Sequence, residues 1–359
     1  MRKNIRIGID GGSFVPNNQV ASGIQRIIQQ FLYTLLHGNY TVSIFFYTTL
    51  RNTDKQKSSL ITIRKLPQYL FASFHLPIQA KRDNVDVILC FSSYVSPLCK
   101  LLQLKTISFI YDFGFILKPE LYTNNQRLIR NIDAGIVRAN KLILSSYFTE
   151  QQLKEYCSQS EEPLYSVLYP GVDHLINISE SEPANFISTV PYALFVGKMR
   201  ESKNLLQLFR VFAGVVENFK GNLHLVLVGD IERDYWISIE NEPEYFKIKS
   251  RIILTKNVPD SNIVWFIKHA ICVMNYSSME GFAFPVLESL ALGAKVFTND
   301  LSLYHEFETM FPQLYIGKTV TEIVDIISKA NTRNKEIEKI YPSWEKYTQS
   351  IMKLVDSML

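Results

Sequence analysis

Residues 278–300 read SMEGFAFPVLESLALGAKVFTND, and they carry more information about this chain than any other segment. A turn around Glu280 comes first, and a helix is predicted to begin at Pro285, because proline suits the first helical position. Apolar residues follow at helical spacing, and Lys295–Thr298 is typical of a buried strand. A turn that leads into the positive end of a helix is a site for an anionic ligand such as a phosphate.

Two acids, Glu280 on the turn and Glu288 in the predicted first turn of the helix, lie beside this site. They cannot hold a phosphate, since like charges repel. They are better explained as hydrogen-bond acceptors for the hydroxyls of a sugar or a ribose. A glycosidase pair needs carboxylates about 5–9.5 Å apart. Eight residues of continuous helix would separate these two by about 12 Å. A purely structural helix start with Glu and Pro is the other alternative.

The segment EGFAFPVLESLALGAKV resembles the donor-site signature of retaining GT-B glycosyltransferases, above all of family four (glycosyl transferases group 1), which usually read EGFGLPVLEAMACGTPVV. The two acids, with seven residues between them, form the E-x7-E motif of that family. The resemblance implies that Glu280 holds the transferred sugar and stabilises its cationic transition state, and that Glu288 accepts hydrogen bonds from the ribose. It also implies that the turn between them binds the donor, through Gly281, Phe282, Ala283 and Phe284.

A second motif, FVGKMRESKN at residues 195–204, consists of a strand end, a glycine turn and two lysines before a helix. Lysines after a parallel strand face the crevice in which such sheets bind ligands. The segment is similar to the family loop whose Arg and Lys neutralise the donor diphosphate, which gives those roles to Lys198 and Lys203. Lys198 stands where Arg is usual, so bidentate recognition is lost and the charge is kept, and Arg200 could supplement it. A solvated charged turn is the alternative.

Near the N-terminus, GGSFVPNNQVASGIQ forms a glycine-rich loop before a helix, but its spacing does not fit a dinucleotide fingerprint. It resembles the glycine loop of GT-B enzymes, in which the backbone approaches the donor phosphate. Gly23 is the donor-binding candidate there, and Ser22 and Arg26 are weaker acceptor-binding candidates. A helix N-cap at Ser22 is the alternative.

The segment SFIYDFGFILKPELY, which starts at residue 108, has Tyr and Asp where many relatives have His and Asp. In this register Tyr111 takes the place of the histidine that is common in relatives. A role that depends on that histidine is therefore not expected in this chain. Asp112 becomes a candidate catalytic residue, and Tyr111 a weaker acceptor-binding one. A cap at the end of a strand is the alternative for Asp112.

A chain of 359 residues is longer than single cores usually grow, so two domains are expected. Strand-like and helix-like segments alternate twice, which predicts an α/β protein with two doubly wound domains. With the resemblance, the predicted fold is GT-B, two Rossmann-like domains facing a central cleft. The predicted limits are 1–175 for an acceptor-binding domain, 176–340 for a nucleotide-sugar-binding domain and 341–359 for a helix that crosses back to the first domain.

The pattern predicts the positions of most elements. Strands are expected at Ile5–Ile9, Val42–Tyr47, Val85–Cys90, Thr106–Tyr111, Lys141–Ser145, Tyr192–Val196, His224–Val228, Ile252–Leu254, Ile271–Met274 and Val296–Thr298. Helices are expected at Gly23–Leu36, Asn124–Ala139, Asn204–Val216, Asn262–His269 and Ile340–Leu359.

Composition narrows the class of protein further. Four scattered cysteines without a C-x-x-C pair suit a reducing cytosol, and no apolar run is long enough to span a bilayer. Residues 1–170 hold 19 Lys and Arg against 11 Asp and Glu, a net charge of +8, while the whole chain carries +4. This basic half is compatible with an anionic acceptor or a peripheral contact with the inner membrane face. No basic run has the pattern of a nucleic-acid site.

The predicted reaction is the retaining transfer of a hexose from a nucleotide sugar to a glycan, a lipid diphosphate or a protein-linked acceptor. His174, His269 and His305 have no metal-ligand spacing, so we expect a cytoplasmic enzyme without a metal or a cofactor other than its co-substrate. A GT-B phosphorylase or nucleotide-sugar epimerase, and a non-catalytic partner subunit with the same fold, remain alternatives.

Overall fold

A computed structural model describes residues 4–12, 23–49, 60–121, 125–157, 163–184, 186, 190–329 and 341–359, and for 125–128 it describes the backbone alone. The described chain forms two compact units. Unit 1 comprises Met1–Gly171 and Pro342–Leu359, and unit 2 comprises Val172–Tyr341. The sequence had placed the corresponding limits after residues 175 and 340.

Unit 1 contains a parallel sheet of seven strands in the order β3-β2-β1-β4-β5-β6-β7. Its strands are β1 (Ile5–Asp10), β2 (Val42–Thr48), β3 (Ile61–Lys65), β4 (Val87–Cys90), β5 (Lys105–Ile110), β6 (Lys141–Leu144) and β7 (Tyr165–Val167). Its first helices are α1 (Gly23–His37), α2 (Leu76–Arg82), α3 (Pro97–Leu101), α4 (Gly114–Leu117), α5 (Asn125–Arg138) and α6 (Tyr147–Tyr156). The inner strands are apolar on both faces, because helices cover both sides of a parallel sheet.

Unit 2 contains a parallel sheet of six strands in the order β10-β9-β8-β11-β12-β13. Its strands are β8 (Tyr192–Val196), β9 (His224–Val228), β10 (Ile252–Thr255), β11 (Cys272–Asn275), β12 (Val296–Thr298) and β13 (Leu314–Ile316). Its helices are α7 (Leu205–Asn218), α8 (Arg233–Glu240), α9 (Pro243–Ile248), α10 (Asp260–His269), α11 (Phe284–Ala291), α12 (Ser302–His305) and α13 (Val320–Ser328). The final helix, α14 (Trp344–Met358), packs against α1 in unit 1.

The core of unit 2 lies between this sheet and the helices that cover it. Phe195 of β8 packs with Phe209 and Phe212 of α7, and all three side chains are fully buried. Burying a side chain of this kind stabilises the fold by about 1.5–3 kcal/mol. The core therefore fixes the strands, and with them the loops at the strand ends.

The prediction of an α/β protein with two doubly wound sheets is confirmed. β8, β9 and β12 coincide with the predicted residues, whereas β3, β7 and β13 were missed. All three missed strands lie at sheet edges, and two of them have only three residues, so they carry little periodicity. Short edge strands of this kind are recognised only when a neighbour pairs with them.

Candidate active site

The candidate site lies in unit 2 at the carboxyl ends of β8 and β11. The strand order changes direction there, since β9 and β10 follow on one side of β8 and β12 and β13 lie beyond β11. In open parallel sheets, ligands bind outside the carboxyl ends of the strands at such a switch point. The lysine loop (residues 197–204) follows β8, and the acidic turn (residues 276–283) follows β11.

The lysine loop is fixed by two glycines and by its own hydrogen bonds. Gly197 and Gly229 have φ angles of 146° and 138°, and a Cβ on Gly229 would lie 2.2 Å from the Gly197 carbonyl oxygen. The Met199 amide donates to the Asp230 carbonyl at 2.7 Å. A short 3-10 helix, Glu201–Lys203, then brings Lys203 into the interior, where its side chain is 10% exposed.

The acidic turn is joined to the lysine loop at two points. Both the amide and the hydroxyl of Ser278 donate to the Ser202 carbonyl, at 2.9 and 3.2 Å. Next to this junction, Lys203 Nζ lies 2.5 Å from Glu280 Oε1, and both side chains are 10% exposed. The fold thus brings together two residues that were predicted to act on one donor.

The start of α11 differs in one respect from the prediction. Ala283, in the left-handed conformation with φ 60° and ψ 51°, precedes the helix, so Phe284 is its first residue and Pro285 its second. Glu288 therefore lies beyond the first turn, and the prediction that placed it within that turn was wrong. The left-handed residue closes the turn one position earlier than an N-terminal proline would indicate.

Aromatic rings support the turn that leads into α11. The rings of Phe282 and Phe284 meet edge to face at 5.0 Å, and Phe282 also contacts Phe307 at 5.9 Å. Phe282 and Ala283 are buried, while Gly281 and Phe284 are half-buried. These contacts hold the backbone of the predicted donor-binding turn in place.

Glu288 has a partner that the sequence did not indicate. His174 Nε2 lies 3.0 Å from Glu288 Oε1, and the two side chains are 2% and 6% exposed. His174 belongs to a short 3-10 helix, Asp173–Leu175, which packs against α10 and α11. No spacing in the sequence relates the two residues, so only the tertiary structure reveals the pair.

The two lysines of the loop have different surroundings. Lys198 is 54% exposed and lies 3.5 Å from Glu232, whereas Lys203 is buried against Glu280. Since exposed pairs contribute little, Lys198 can leave Glu232 at small cost. Lys203 is the better fixed of the two cations.

Several buried polar atoms border the same strand ends. Among the residues that the structure describes, these side-chain atoms find no hydrogen-bond partner: Arg200 Nε, Ser202 Oγ, Tyr276 OH, Thr298 Oγ1 and Asn299 Oδ1. All five belong to the ends of β8, β11 and β12 or to the loops that follow them. Buried polar groups are rarely left unpaired, so their concentration here points to a polar ligand.

The remaining candidates lie in unit 1. Asp112 Oδ1 accepts a hydrogen bond from the Gly114 amide at 2.8 Å, which is a strand-end cap after β5. The Tyr111 hydroxyl donates to the Phe91 carbonyl at 3.1 Å, and burial raises the pKa of Tyr111 well above its usual value. Gly23 and Arg26 lie in the first turn of α1, and Ser22 is outside the described residues.

Unit 1 also has a buried acid at its own switch point, between β1 and β4, that the sequence did not single out as a site. Asp10 is 2% exposed, and it accepts hydrogen bonds from the Gly12 amide at 3.0 Å and from the Ser92 hydroxyl. Burial raises the pKa of Asp10 above its usual value, although these hydrogen bonds oppose that effect. A sign of it was visible in the sequence, since Asp10 directly follows the apolar strand IRIGI.

Two kinds of feature are absent from the described residues. No three His, Cys, Asp or Glu side chains within those ranges are grouped as metal ligands. In the same ranges, no helix combines the length and the apolar character needed to cross a membrane.

The chain is similar to known glycosyltransferases. The model of the family described as glycosyl transferases group 1 matches residues 178–345. These residues include the lysine loop, the acidic turn and α11. The chain is also 22% identical over 310 residues to the O-antigen chain mannosyltransferase RfbU of Salmonella typhimurium, which is 82% of each chain.

Solved structures of similar fold cover nearly the whole chain. Sucrose-phosphate synthase from Thermosynechococcus elongatus has a TM-score of 0.75 at 16% identity, with 99% of both chains covered. Anabaena HepE in complex with UDP and glucose has a TM-score of 0.65 at 14% identity, with 99% of this chain and 97% of that chain covered. The predicted GT-B fold, with two Rossmann-like units, is confirmed.

Proposed function

We propose that this chain, in which residues 178–345 match the model of the glycosyl transferases group 1 family, is a member of that family and transfers a sugar from a nucleotide-sugar donor to a glycan or lipid-linked acceptor. The observation that carries the proposal is the contact of Lys203 with Glu280 at the switch point of unit 2. A cation for a leaving diphosphate and an acid for the sugar attached to it must lie side by side. These two residues do.

The role proposed for each residue of the site follows from the sign of the charge on its side chain. Lys203, with help from Lys198, stabilises the negative charge that develops on the departing diphosphate, an electrostatic contribution of several kcal/mol. Glu280 accepts hydroxyls of the transferred sugar and stabilises its positive transition state, and Glu288 accepts ribose hydroxyls. The carboxylate of Glu280 is held by Lys203 until the donor arrives, so the protein orients it before the reaction.

The related proteins support a place in surface polysaccharide synthesis. The relative RfbU is an O-antigen chain mannosyltransferase, and the similar HepE structure holds UDP and glucose. We propose a nucleoside-diphosphate hexose as donor and a growing surface glycan, carried on a lipid diphosphate, as acceptor. Transfer without a metal ion is part of the proposal, since the fixed Lys203 can neutralise the leaving group. Transfer with retained configuration is part of it because the acidic turn resembles that of retaining enzymes.

The test begins with a thermal-shift screen against UDP, GDP, ADP, CDP and their hexose derivatives, because a ligand that binds only the folded protein raises its unfolding temperature. Transfer from the stabilising donor to a lipid-linked glycan is then measured for Glu280→Gln. The matched control is Glu244→Gln, since Glu244 also pairs with a cation of unit 2, Arg210 at 2.8 Å. We expect E280Q to lose at least about 100-fold in transfer rate, as for the loss of one group that stabilises transition-state charge. Equal rates for E280Q and E244Q would refute the assignment.

Two finer parts of the proposal have their own readouts. Proton NMR of the first product should show the anomeric configuration of the donor, and inversion would refute a retaining reaction. Activity should persist in EDTA, and its loss with recovery on addition of a divalent cation would refute metal independence. Release of hexose 1-phosphate in the presence of phosphate would instead identify a phosphorylase.

A basic surface of unit 1 supports contact with an anionic membrane, where a lipid-linked acceptor resides. Lys100, Lys105 and Arg138 line one depression together with Val137, which is 80% exposed, and Leu101 beside it is 75% exposed. Exposed apolar residues among cations fit the boundary of an anionic bilayer. We expect Lys100→Glu with Arg138→Glu to reduce sedimentation with phosphatidylglycerol vesicles. The control pair Lys220→Glu with Lys247→Glu, on exposed cations of unit 2, should not, and equal losses would refute this surface.

The unit 1 candidates keep a role on the acceptor side of the proposal. Asp112 already caps the end of β5, so its substitution affects local structure as well as any contact with acceptor. Asp112→Asn keeps the cap oxygen and removes the charge. A rise in acceptor KM without loss of folding would support the role, and an unchanged KM and kcat would refute it.

A further inference from the structure

The carboxylate of Glu288 is in an unusual environment for an acid. It projects from α11, where the other residues from Val286 to Ala291 are all buried. A charged carboxylate at 6% exposure is costly unless a partner compensates it. His174 Nε2 lies 3.0 Å from Glu288 Oε1, within the distance of an ion pair, although the geometry does not make a hydrogen bond between these two atoms.

This pair is supplied by separate parts of unit 2. His174 belongs to the short 3-10 helix at the start of the unit, and Glu288 lies in the helix after the acidic turn. The 3-10 helix packs against both α10 and α11, so its position relative to Glu288 is fixed by packing. The imidazole is itself only 2% exposed, so the surrounding protein encloses it.

We propose that His174 is a positioning residue for the donor, and that its imidazole holds the Glu288 carboxylate in the orientation that accepts a ribose hydroxyl. The inference rests on the proposed function, in which Glu288 binds the ribose of a nucleoside diphosphate. A carboxylate has two oxygens with about four acceptor sites, so one oxygen can contact the imidazole while the carboxylate accepts from a hydroxyl. The ligand that depends on His174 is therefore the ribose of the nucleotide, not its diphosphate and not the transferred sugar.

The experiment measures binding of nucleoside diphosphates by calorimetry, with UDP, GDP, ADP and CDP and their 2′,3′-dideoxy forms as probes. His174→Leu removes the imidazole at similar size, and His174→Gln keeps an N–H donor in place of Nε2. We expect H174L to weaken binding of the ribonucleotide about tenfold, because the Glu288 carboxylate loses the polar contact that orients it. H174Q should recover to within about threefold of the wild type, because its side-chain amide places an N–H group near the position of Nε2.

The dideoxy probe distinguishes positioning of Glu288 from a general structural role. It has no ribose hydroxyl for Glu288, so H174L and the wild type should bind it equally. Equal weakening of the ribonucleotide and the dideoxynucleotide by H174L would overturn the proposal. In steady-state transfer, H174L should raise the donor KM about tenfold with kcat nearly unchanged.

H174L leaves the buried charge of Glu288 without its partner, which destabilises unit 2. A second comparison therefore uses variants in which the Glu288 charge is removed as well. In the background of Glu288→Gln, adding H174L should change ribonucleotide affinity no further, since the two residues act as one unit. Additive losses would overturn the proposal. The matched control is His269→Leu, because His269 also faces a carboxylate of unit 2, Glu180 at 3.6 Å, but on an exposed surface, and it should bind as the wild type does.

Failure of this inference and of the proposed function give different results. If the wild type binds none of the nucleoside diphosphates, the proposed function fails, and the role of His174 fails with it. If the wild type binds one of them and both His174 variants bind it equally well, the role of His174 alone is refuted.

Discussion

The ion pair between Lys203 and Glu280 makes a quantitative prediction about the stability of unit 2. At 2.5 Å and an effective dielectric constant of about 20, the attraction between the two charges amounts to about 7 kcal/mol. Removing each ion from water costs several kcal/mol, so the intact pair contributes little net stability. Removal of one partner leaves the other buried without compensation, which typically costs 3–5 kcal/mol.

We therefore expect Lys203→Met and Glu280→Gln each to lower the free energy of unfolding of unit 2 by about 3 kcal/mol, the lower end of that range, because both side chains keep 10% exposure. The double variant should return to within about 1 kcal/mol of the wild type, since no unpaired charge remains. Transfer activity should be lost in all three variants if, as proposed, both groups act on the donor. The double variant should thus recover the free energy of unfolding but not the transfer activity.

Urea unfolding followed by tryptophan fluorescence is the appropriate assay. Trp236 and Trp265 lie in unit 2, and Trp344 lies in unit 1, so the signal reports mainly on unit 2. The control is the exposed pair of Arg210 with Glu244, whose single substitutions should cost at most about 1 kcal/mol. Single variants of Lys203 or Glu280 as stable as the wild type, or a double variant no more stable than either, would refute the buried pair.

Three further predictions concern the backbone and a buried acid. Ala283→Gly should stabilise unit 2 by up to about 1 kcal/mol in the same urea assay, because a left-handed conformation costs alanine about 1–2 kcal/mol and glycine little. Gly229→Ala should abolish nucleoside diphosphate binding in calorimetry, because its Cβ would lie 2.2 Å from the Gly197 carbonyl and would displace the lysine loop. Asp10→Asn should make the free energy of unfolding less dependent on pH, because burial raises the pKa of Asp10 in the folded state. The stability that protonated Asp10 contributes is fully present below the unfolded pKa of about 3.9, and it is lost as pH rises through the folded pKa. D10N should therefore be more stable than the wild type at pH 7 and similar to it at pH 3, in urea titrations at both values.

Each of these predictions has a contradicting outcome. Ala283→Gly would contradict the left-handed turn if it lowered stability by more than about 1 kcal/mol, the entropic cost of a glycine in ordinary backbone. Normal nucleotide binding by Gly229→Ala would contradict the close approach of the two glycine turns, and Gly221→Ala, at a glycine outside the site, is its control. Equal stability of D10N and the wild type at pH 7 would contradict the effect of burial on Asp10.

Much of the candidate site was predictable because its residues belong to local patterns. The spacing of Glu280 and Glu288 and the lysines after β8 are visible in short segments, and the apolar runs of β8, β9 and β12 match the observed strands. The predicted start of α11 was one residue too late, and Glu288 was assigned to the wrong turn, because nothing in the sequence required Ala283 to adopt a left-handed conformation. Glycine at this position would have been a clear signal.

The sequence by itself determined that this is an α/β protein of two units and where its lysine loop and acidic turn lie, because periodicity and turn residues act over a few neighbouring positions. Only the tertiary structure decided that Lys203 meets Glu280 and that His174 meets Glu288. Those contacts depend on β11 pairing with β8 and on the packing of a 3-10 helix against α11, and both arise from long-range burial of apolar surface. No pattern over neighbouring residues encodes such a contact, since its partners come together only when the whole sheet has formed.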